Sequence, residues 1–165
     1  MSDKPKSQKP QDLQRIEELI ELCLVEAKNG ASYGEVPVGA LITHKGKIIA
    51  RAHNEVEQQT SAVMHAEILA IERASKKLGS WRLNECELYV SLEPCPMCAG
   101  AILASRISRV IFAAKDNRQG ACGSVFNLLQ HSGLPTSCEV VSGPGAQQSE
   151  ELLKSFFSKL RKKPS

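Results

Sequence analysis

Ser91-Leu92-Glu93-Pro94-Cys95-Pro96-Met97-Cys98-Ala99-Gly100 is the stretch around which this chain can be understood. The apolar run 87–92 predicts a strand, and the small apolar residues 96–105 predict a helix directly after it. Pro96 suits the first position of that helix, where an N–H is not needed. The two cysteines, three positions apart, are therefore expected on its first turn, where the free amides and the helix dipole favour thiolates.

The Cys95–Cys98 pair admits two interpretations, a metal site and a thioredoxin-type redox pair. His65-Ala66-Glu67, further upstream, favours the metal site, because a redox pair gives no role to a histidine and a glutamate. His65, Cys95 and Cys98 would supply three ligands and leave the fourth position of a zinc ion open for water, as in catalytic zinc sites. An ordinary core or surface histidine is the alternative for His65 taken alone.

Glu67 is the candidate general acid and base of such a site. Residues two positions apart diverge by roughly 200° in mid-helix. His65 and Glu67 can therefore converge only if their helix presents its first turn to the metal, and Ser61 is the expected N-cap for that arrangement. The alternative for Glu67 is a first-turn carboxylate that only favours the helix dipole.

The rest of the chain alternates strand-like and helix-like segments, which predicts an α/β fold with parallel pairing and helices on both faces of a sheet. Residues 1–11 are polar and predict a disordered tail. Residues 12–163 are expected to form a single domain. The remaining predicted elements are a helix from Asp12 to Gly30, a hairpin of strands 38–42 and 47–50 around Lys45-Gly46, a loop over 57–61, a helix over 62–78, a strand over 109–113, a loop over 115–123, a short helix over 125–130, an edge strand over 138–141 and a final helix capped by Ser149.

Composition excludes several protein classes. The 165 residues are 42% hydrophobic and 24% charged, which is typical of a soluble globular protein, and no apolar run approaches the roughly 18 residues of a membrane span. Six cysteines without a secretory signal predict an intracellular protein with reduced thiols. Cys23, Cys86, Cys122 and Cys138 are expected in the core, although Cys122 is also considered as a further thiol near the metal.

The combination of His65-Ala66-Glu67 with Pro94-Cys95-Pro96-Met97-Cys98 resembles the H-x-E…P-C-x-x-C pattern of the zinc deaminases. Further blocks narrow the resemblance to the bacterial tRNA-specific adenosine deaminases, over nearly the whole chain. These blocks are Glu35-Val36-Pro37-Val38-Gly39-Ala40, Asn54, His65-Ala66-Glu67-Ile68, residues 92–101, Ser105-Arg106-Ile107, and Gly120 with Gly123-Ser124.

The resemblance implies a cytidine-deaminase-like fold of three layers, α/β/α, around a five-stranded mixed sheet. It implies a cytoplasmic homodimer with one Zn²⁺ per subunit, bound by His65, Cys95 and Cys98, and Glu67 as acid and base. The implied reaction is hydrolytic deamination of the wobble adenosine of a tRNA anticodon to inosine, with release of ammonia.

The resemblance also implies residues that contact the substrate. Asn54 would bind the flipped base, the backbone of Ala66 would help to orient it, and Val36 would lie against it. The sequence departs from many relatives at Glu55, where they carry a basic or neutral residue, and at 62–64, where they carry a proline.

RNA binding is also suggested by the C-terminal segment, which has five basic and no acidic residues between Lys154 and Lys163. Aromatic rings next to cations suit single-stranded RNA, although the two phenylalanines of this segment suit a core equally well. We expect one of them to be buried, and we expect Trp81 to be packed, with Tyr33 as a further stacking candidate. The candidate RNA contacts are Asp116, Arg118, Phe156, Phe157, Lys159 and Arg161.

Two other functions use the same residues. The zinc and the glutamate do not select the substrate, so a deaminase of a free base or nucleoside, such as guanine or cytosine, is the main alternative. A non-catalytic RNA-binding subunit of the same fold is the other alternative, and Glu67 argues against it, because such a subunit does not need a proton shuttle.

Overall fold

Five strands form one mixed sheet in the computed structural model, which describes residues 10–163. Their order across the sheet is β2-β1-β3-β4-β5. β1 is antiparallel to both of its neighbours, whereas β3, β4 and β5 are mutually parallel. The strands are β1 (Gly39–His44), β2 (Lys47–His53), β3 (Cys86–Leu92), β4 (Arg109–Ala114) and β5 (Glu139–Ser142).

Helices cover both faces of this sheet, which confirms the predicted α/β/α layering. Alternate strand residues point to opposite faces. Leu88 of β3 therefore enters the core beneath α3 and α4, while its neighbour Tyr89 enters the core beneath α1 and α5. The helices are α1 (Pro10–Ser32), α2 (Val56–Gln59), α3 (Ala66–Leu78), α4 (Pro96–Ala104) and α5 (Ala146–Lys162).

The apolar stripe of α1 drives its packing on the sheet. Ile16, Leu19, Ile20 and Cys23 are each at most 1% exposed, and burying one large aliphatic side chain stabilises the fold by about 1.5–3 kcal/mol. At Gly39 the helix and β1 come so close that an added Cβ would lie 2.0 Å from the carbonyl oxygen of Cys23. A side chain at position 39 would therefore separate the two layers.

Several predicted boundaries are wrong. α1 begins at Pro10, before Asp12, and continues past Gly30 to Ser32; residues 1–9 of the predicted tail lie outside the described residues. A one-turn helix, α2, stands in the predicted loop 57–61. α3 begins at Ala66, four residues later than predicted, and Ser61 is not its N-cap.

The C-terminal third differs from the prediction in two further places. Residues 125–130 do not form a helix, and a single β-bridge between Cys122 and Asn127 closes this loop instead. α5 begins at Ala146 after Gly145, so Ser149 lies inside the helix, where its hydroxyl donates a hydrogen bond of 2.7 Å to the Ser91 carbonyl. This buried bond fixes the start of α5 to the end of β3.

Among residues 10–163, no helix combines the length and apolar character required to cross a lipid bilayer.

Candidate active site

His65, Cys95 and Cys98 form a compact group of metal-ligating atoms. Nδ1 of His65 lies 3.7 Å from Sγ of Cys95 and 3.5 Å from Sγ of Cys98, and all three atoms lie within 4.8 Å of one another. Tetrahedral zinc with ordinary Zn–N and Zn–S bonds requires ligand–ligand separations of about 3.6 Å. The donor set and its spacing therefore fit one zinc ion.

Two of these residues occupy N-cap positions, which explains how ligands from two helices converge. His65 precedes α3 with extended backbone (φ −73°, ψ 154°), and Cys95 precedes α4 in the same way (φ −76°, ψ 173°). Pro96 takes the first helical position, as predicted. Both helices thus present their N-terminal ends to the same point, and the divergence of residues two apart in mid-helix does not apply to His65 and Glu67.

Hydrogen bonding divides the protons unevenly between the two thiols. Bonds from the Cys98 thiol and from the His65 ring lower the pKa of Cys95 to about 4, although burial opposes this shift. The same bond to Cys95, together with burial, raises the pKa of Cys98 well above its usual range. The bond to Cys95 also raises the pKa of His65. This hydrogen bonding favours the thiolate form of Cys95.

Glu67 lies on the first turn of α3, beside this group. Its side chain is only 4% exposed, and its Oε2 lies 3.5 Å from Sγ of Cys98. Burial raises the pKa of the Glu67 carboxyl above its usual value. A buried carboxyl whose pKa is raised in this way is suited to general acid and base catalysis.

Asn54 joins the end of β2 to the start of α3. Its Oδ1 accepts a hydrogen bond of 2.8 Å from the backbone N–H of Ala66, and both residues are buried. Because the His65 side chain makes no cap bond at this helix, Asn54 satisfies one of the free amides of its first turn from a different segment. The predicted contact of the Ala66 backbone with the base stays a prediction.

A cleft of about 1070 Å³ opens onto the metal-ligating group. His65, Glu67 and Cys95 line it, as do most of the predicted substrate and RNA contacts, namely Val36, Asn54, Asp116, Arg118, Phe156 and Phe157. Lys159 and Arg161 are exposed on the last turns of α5 and do not line the cleft. Phe157 is 38% exposed and Phe156 is partly buried, with the rings edge to face at 5.3 Å, so neither is a fully buried core residue as expected for one of them.

Glu93 organises the loop that forms one wall of this cleft. The side chain is 2% exposed and accepts backbone N–H bonds from Asp116 (3.3 Å), Cys122 (3.0 Å) and Ser124 (3.2 Å), together with a bond from the Ser124 hydroxyl. At Gly120 an added Cβ would lie 2.3 Å from Oε2 of Glu93. The loop is therefore wrapped around a buried carboxylate two residues before Cys95.

Glu35 has a matching role on another part of the cleft wall. It is 1% exposed and accepts hydrogen bonds from the amides of Glu57 (3.2 Å) and Gln58 (2.8 Å), and so caps α2 from a distance. The sequence alone predicted no role for Glu35 or Glu93. The one signal for a structural role was their position: Glu35 and Glu93 each stand next to an apolar or proline-containing run within a block shared with the family.

The remaining cysteines are core residues, as predicted. Cys23, Cys86, Cys122 and Cys138 are free thiols, each at most 7% exposed, and Cys122 lies outside the metal-ligating group. The prediction of a packed Trp81 is wrong, because it is 53% exposed, with the guanidinium of Arg82 4.3 Å from its ring centroid. Trp81 does not line the cleft.

The proteins to which this chain is similar are deaminases, which agrees with a hydrolytic site of this kind. The sequence profile of the MafB19-like deaminase family matches residues 16–161. The tRNA-specific adenosine deaminase of Bacillus subtilis is 49% identical over 138 residues, which are 84% of this chain and 86% of that protein. A solved structure from work on A-to-I editing by tRNA:A34 deaminases at the wobble position is 38% identical, with a TM-score of 0.80 over 83% of this chain and 99% of that one.

Free-base deaminases are similar to a lesser degree. The guanine deaminase of Bacillus subtilis is 32% identical, with a TM-score of 0.59 over 90% of this chain and 95% of that one. The fold is therefore shared across substrates, while sequence identity is higher with the tRNA enzyme. With a matching family profile and a curated relative of nearly half-identical sequence, the chain belongs to the tRNA-specific adenosine deaminases of the MafB19-like deaminase family.

Proposed function

We propose that this chain catalyses the zinc-dependent hydrolytic deamination of the wobble adenosine in a tRNA anticodon, which gives inosine and ammonia. One observation carries the proposal: a buried carboxylate, Glu67, lies beside a three-ligand metal group in a cleft with aromatic and basic side chains. The relatives named above as tRNA deaminases support the same reaction.

His65, Cys95 and Cys98 would hold one zinc ion per subunit. When bound, zinc lowers the pKa of a coordinated water and makes hydroxide available near neutral pH. The protein contributes the fixed geometry, since two helix N-termini and the bond between Asn54 and Ala66 hold the ligands in place.

Glu67 moves the protons of the reaction. It would accept the proton of the attacking water, pass a proton to the purine ring nitrogen next to the reacting carbon, and protonate the leaving amine. Addition of one water and loss of one ammonia balance the conversion of adenosine to inosine. The buried position of Glu67 keeps bulk water from competing for these protons.

The substrate contacts follow from the residues that line the cleft. A base must leave the anticodon stack to reach a buried site. Asn54 and Val36 lie where they could contact this base, and Asp116 and Arg118 lie on the loop held by Glu93. Phe156 and Phe157 offer aromatic faces, while Lys159 and Arg161 would attract phosphates beyond the cleft.

The second candidate is deamination of a free purine base, which the resemblance to guanine deaminase favours. The long cleft favours RNA, because its volume of about 1070 Å³ is at the upper end of small-molecule sites and far exceeds a single base. The basic C-terminal segment also has no use in binding a neutral base.

A homodimer is the proposed assembly, and the cytoplasm the proposed location. Four apolar side chains close in sequence to the metal ligands or to the loop held by Glu93 are more than a third exposed, namely Val63, Met97, Val125 and Phe126. A second copy of the chain would bury apolar area of this kind. Sedimentation analysis of the wild type and of a Phe126→Ser variant tests this assembly.

The activity is tested by incubating zinc-loaded protein with an anticodon stem-loop, free adenosine, guanine and cytosine. We expect inosine at the wobble position and stoichiometric ammonia with the stem-loop alone. If guanine is deaminated and the stem-loop gains no inosine, the proposal is overturned in favour of the second candidate. Affinity for the same stem-loop is measured at several salt concentrations. Lys159→Glu and Arg161→Glu should weaken binding and reduce its salt dependence. Lys76→Glu and Lys77→Glu, on α3 and outside the cleft lining, should change neither.

A further inference from the structure

Tyr33 is a large exposed ring on the wall of the cleft that contains Glu67. It is 63% exposed and lines this cleft. An exposed aromatic side chain alone is common on protein surfaces. What distinguishes Tyr33 is that its ring is stacked on another ring of the protein.

The ring of Tyr33 is stacked on the imidazole of His53. The ring centroids are 6.1 Å apart and the planes differ by 11°. His53 is itself fixed, since its Nδ1 lies 3.4 Å from Oε2 of Glu26, and both side chains are less than a fifth exposed. At Gly30 an added Cβ would lie 3.1 Å from Cβ of His53, so this histidine also packs directly against α1.

The backbone at Tyr33 is held as well. Its N–H donates to the carbonyl of Gly30 at 3.0 Å, and the amide of Glu35 reaches the same carbonyl at 3.1 Å. Gly34 between them has φ +83°, a value that favours glycine. One face of the Tyr33 ring thus lies towards His53, and backbone hydrogen bonds hold the turn that carries the ring.

We propose that Tyr33 is a base-stacking subsite for an unpaired nucleobase that flanks the target adenosine. The inference rests on the proposed function, because it assigns a contact for the same substrate. Rings on the cleft wall suit single-stranded RNA, whose bases stack on aromatic faces without requiring a particular sequence. Stacking on a ring that is already oriented loses less conformational freedom on binding than stacking on a mobile one.

The experiment measures the affinity of zinc-loaded wild type, Tyr33→Ala and Tyr33→Phe for an anticodon stem-loop, and for the same stem-loop with an abasic site on either side of the target. Trp81→Ala is the matched control, because Trp81 is also exposed but does not line the cleft. Metal content and melting temperature verify that each variant folds.

Tyr33→Ala should weaken binding of the intact stem-loop roughly 5- to 150-fold, the range for loss of one stacked base. Tyr33→Phe and Trp81→Ala should bind as wild type does. One abasic stem-loop should bind wild type and Tyr33→Ala equally, because the stacking partner is absent from both. Equal loss for Tyr33→Ala with all three RNAs, or equal loss in Tyr33→Phe and Tyr33→Ala, would overturn the subsite.

Turnover of the intact stem-loop separates this inference from the proposed function. If the wild type deaminates it but neither abasic site removes the effect of Tyr33→Ala, the subsite is wrong and the function stands. If the wild type binds with the expected coupling but produces no inosine, the function is wrong and the subsite stands. If the stem-loop does not bind, both are wrong.

Discussion

Asn54 accepts a hydrogen bond of 2.8 Å from the backbone N–H of Ala66, and this bond connects the β1–β2 hairpin to the first turn of α3. The turn carries Glu67 and follows directly after His65. Asn54, twelve positions before Ala66, thus positions both the proposed metal ligand His65 and the proposed proton carrier Glu67.

Asn54→Ala should lower the free energy of unfolding by about 1–3 kcal/mol, because a buried N–H loses its acceptor. Chemical denaturation of the zinc-loaded protein measures this change. Asn84→Ala is the control, since Asn84 is exposed and its substitution should change stability by less than about 0.5 kcal/mol. Equal stability of Asn54→Ala and wild type would show that water satisfies the Ala66 amide.

Glu67→Gln should reduce the rate of deamination by at least about 100-fold while retaining zinc. The amide keeps the size of the side chain but cannot carry a proton between water and base. Single-turnover kinetics and metal analysis provide the two measurements, with the exposed Glu72→Gln on the same helix as control. Substantial residual turnover in Glu67→Gln would assign the proton transfer to another group.

Cys95→Ser should reduce zinc content from about one equivalent to well below it, because one of three ligands is lost. Cys122→Ser is the matched control, as Cys122 is also buried but lies outside the ligand group. Chelation of zinc should lower the melting temperature of wild type and Cys122→Ser, because metal that binds only the folded state stabilises it. Full zinc content in Cys95→Ser would remove that residue from the ligand set.

Glu93→Gln should loosen the loop from Lys115 to Ser124, since an amide cannot accept all four hydrogen bonds of the carboxylate. Lys115 and Arg118 are exposed on this loop and are sites for trypsin. We expect faster cleavage at both, and a higher KM for the stem-loop with a smaller change in kcat. Glu85→Gln, an exposed position, should be cleaved as slowly as wild type.

Glu55 provides a test of pH dependence. Burial alone would raise the pKa of its carboxyl, but hydrogen bonds from Gln59 and Arg73 outweigh this effect and lower the pKa. A carboxyl whose pKa is lower in the folded state stabilises the protein above its unfolded pKa, near 4.3, and this contribution is lost as pH falls through the folded value.

Glu55→Gln should therefore be about 0.5–1 kcal/mol less stable than wild type at pH 7, and this difference should disappear in acid below the folded pKa. Comparing the two proteins at each pH cancels the loss of metal that both undergo. A difference that persists unchanged in acid would assign the effect to packing. The partner that carries this effect is Arg73, whose guanidinium lies 2.7 Å from the Glu55 carboxylate.

The clustering of His65, Cys95 and Cys98 beside Glu67 could be predicted from sequence because their spacing is set locally, by two helix starts. The hairpin turn at Lys45-Gly46 and the end of α3 at Gly79 were equally local and are confirmed. The wrong boundaries have a different cause. α3 starts late because Asn54, from another segment, accepts the hydrogen bond of the amide at its first residue. α2 forms because Glu35 likewise accepts a hydrogen bond from an amide of that helix.

The absent helix over 125–130 follows the same rule. The Glu93 carboxylate accepts hydrogen bonds from the backbone amides of Cys122 and Ser124, and the chain therefore forms a loop there. Each of these acceptors lies between 12 and 31 residues away from the amide that it binds. Local periodicity carries no information about such pairs. For Trp81, packing was predicted, whereas its ring is exposed with the guanidinium of Arg82 beside it.

The three buried side chains Glu35, Asn54 and Glu93 have a consequence for how new substrates could arise in this fold. Asn54 fixes the first turn of α3 beside the metal group, whereas Glu35 fixes α2 and Glu93 fixes the loop from Lys115 to Ser124. Exposed positions of α2 and of this loop can therefore vary without disturbing the metal group. Arg118 lies at an exposed position of the loop held by Glu93, and Tyr33 and Phe157 line the same cleft from two regions distant in sequence. A lineage can therefore exchange its recognition surface piece by piece while its reaction chemistry stays unchanged, which is the condition for one scaffold to serve both polymer and free-base substrates.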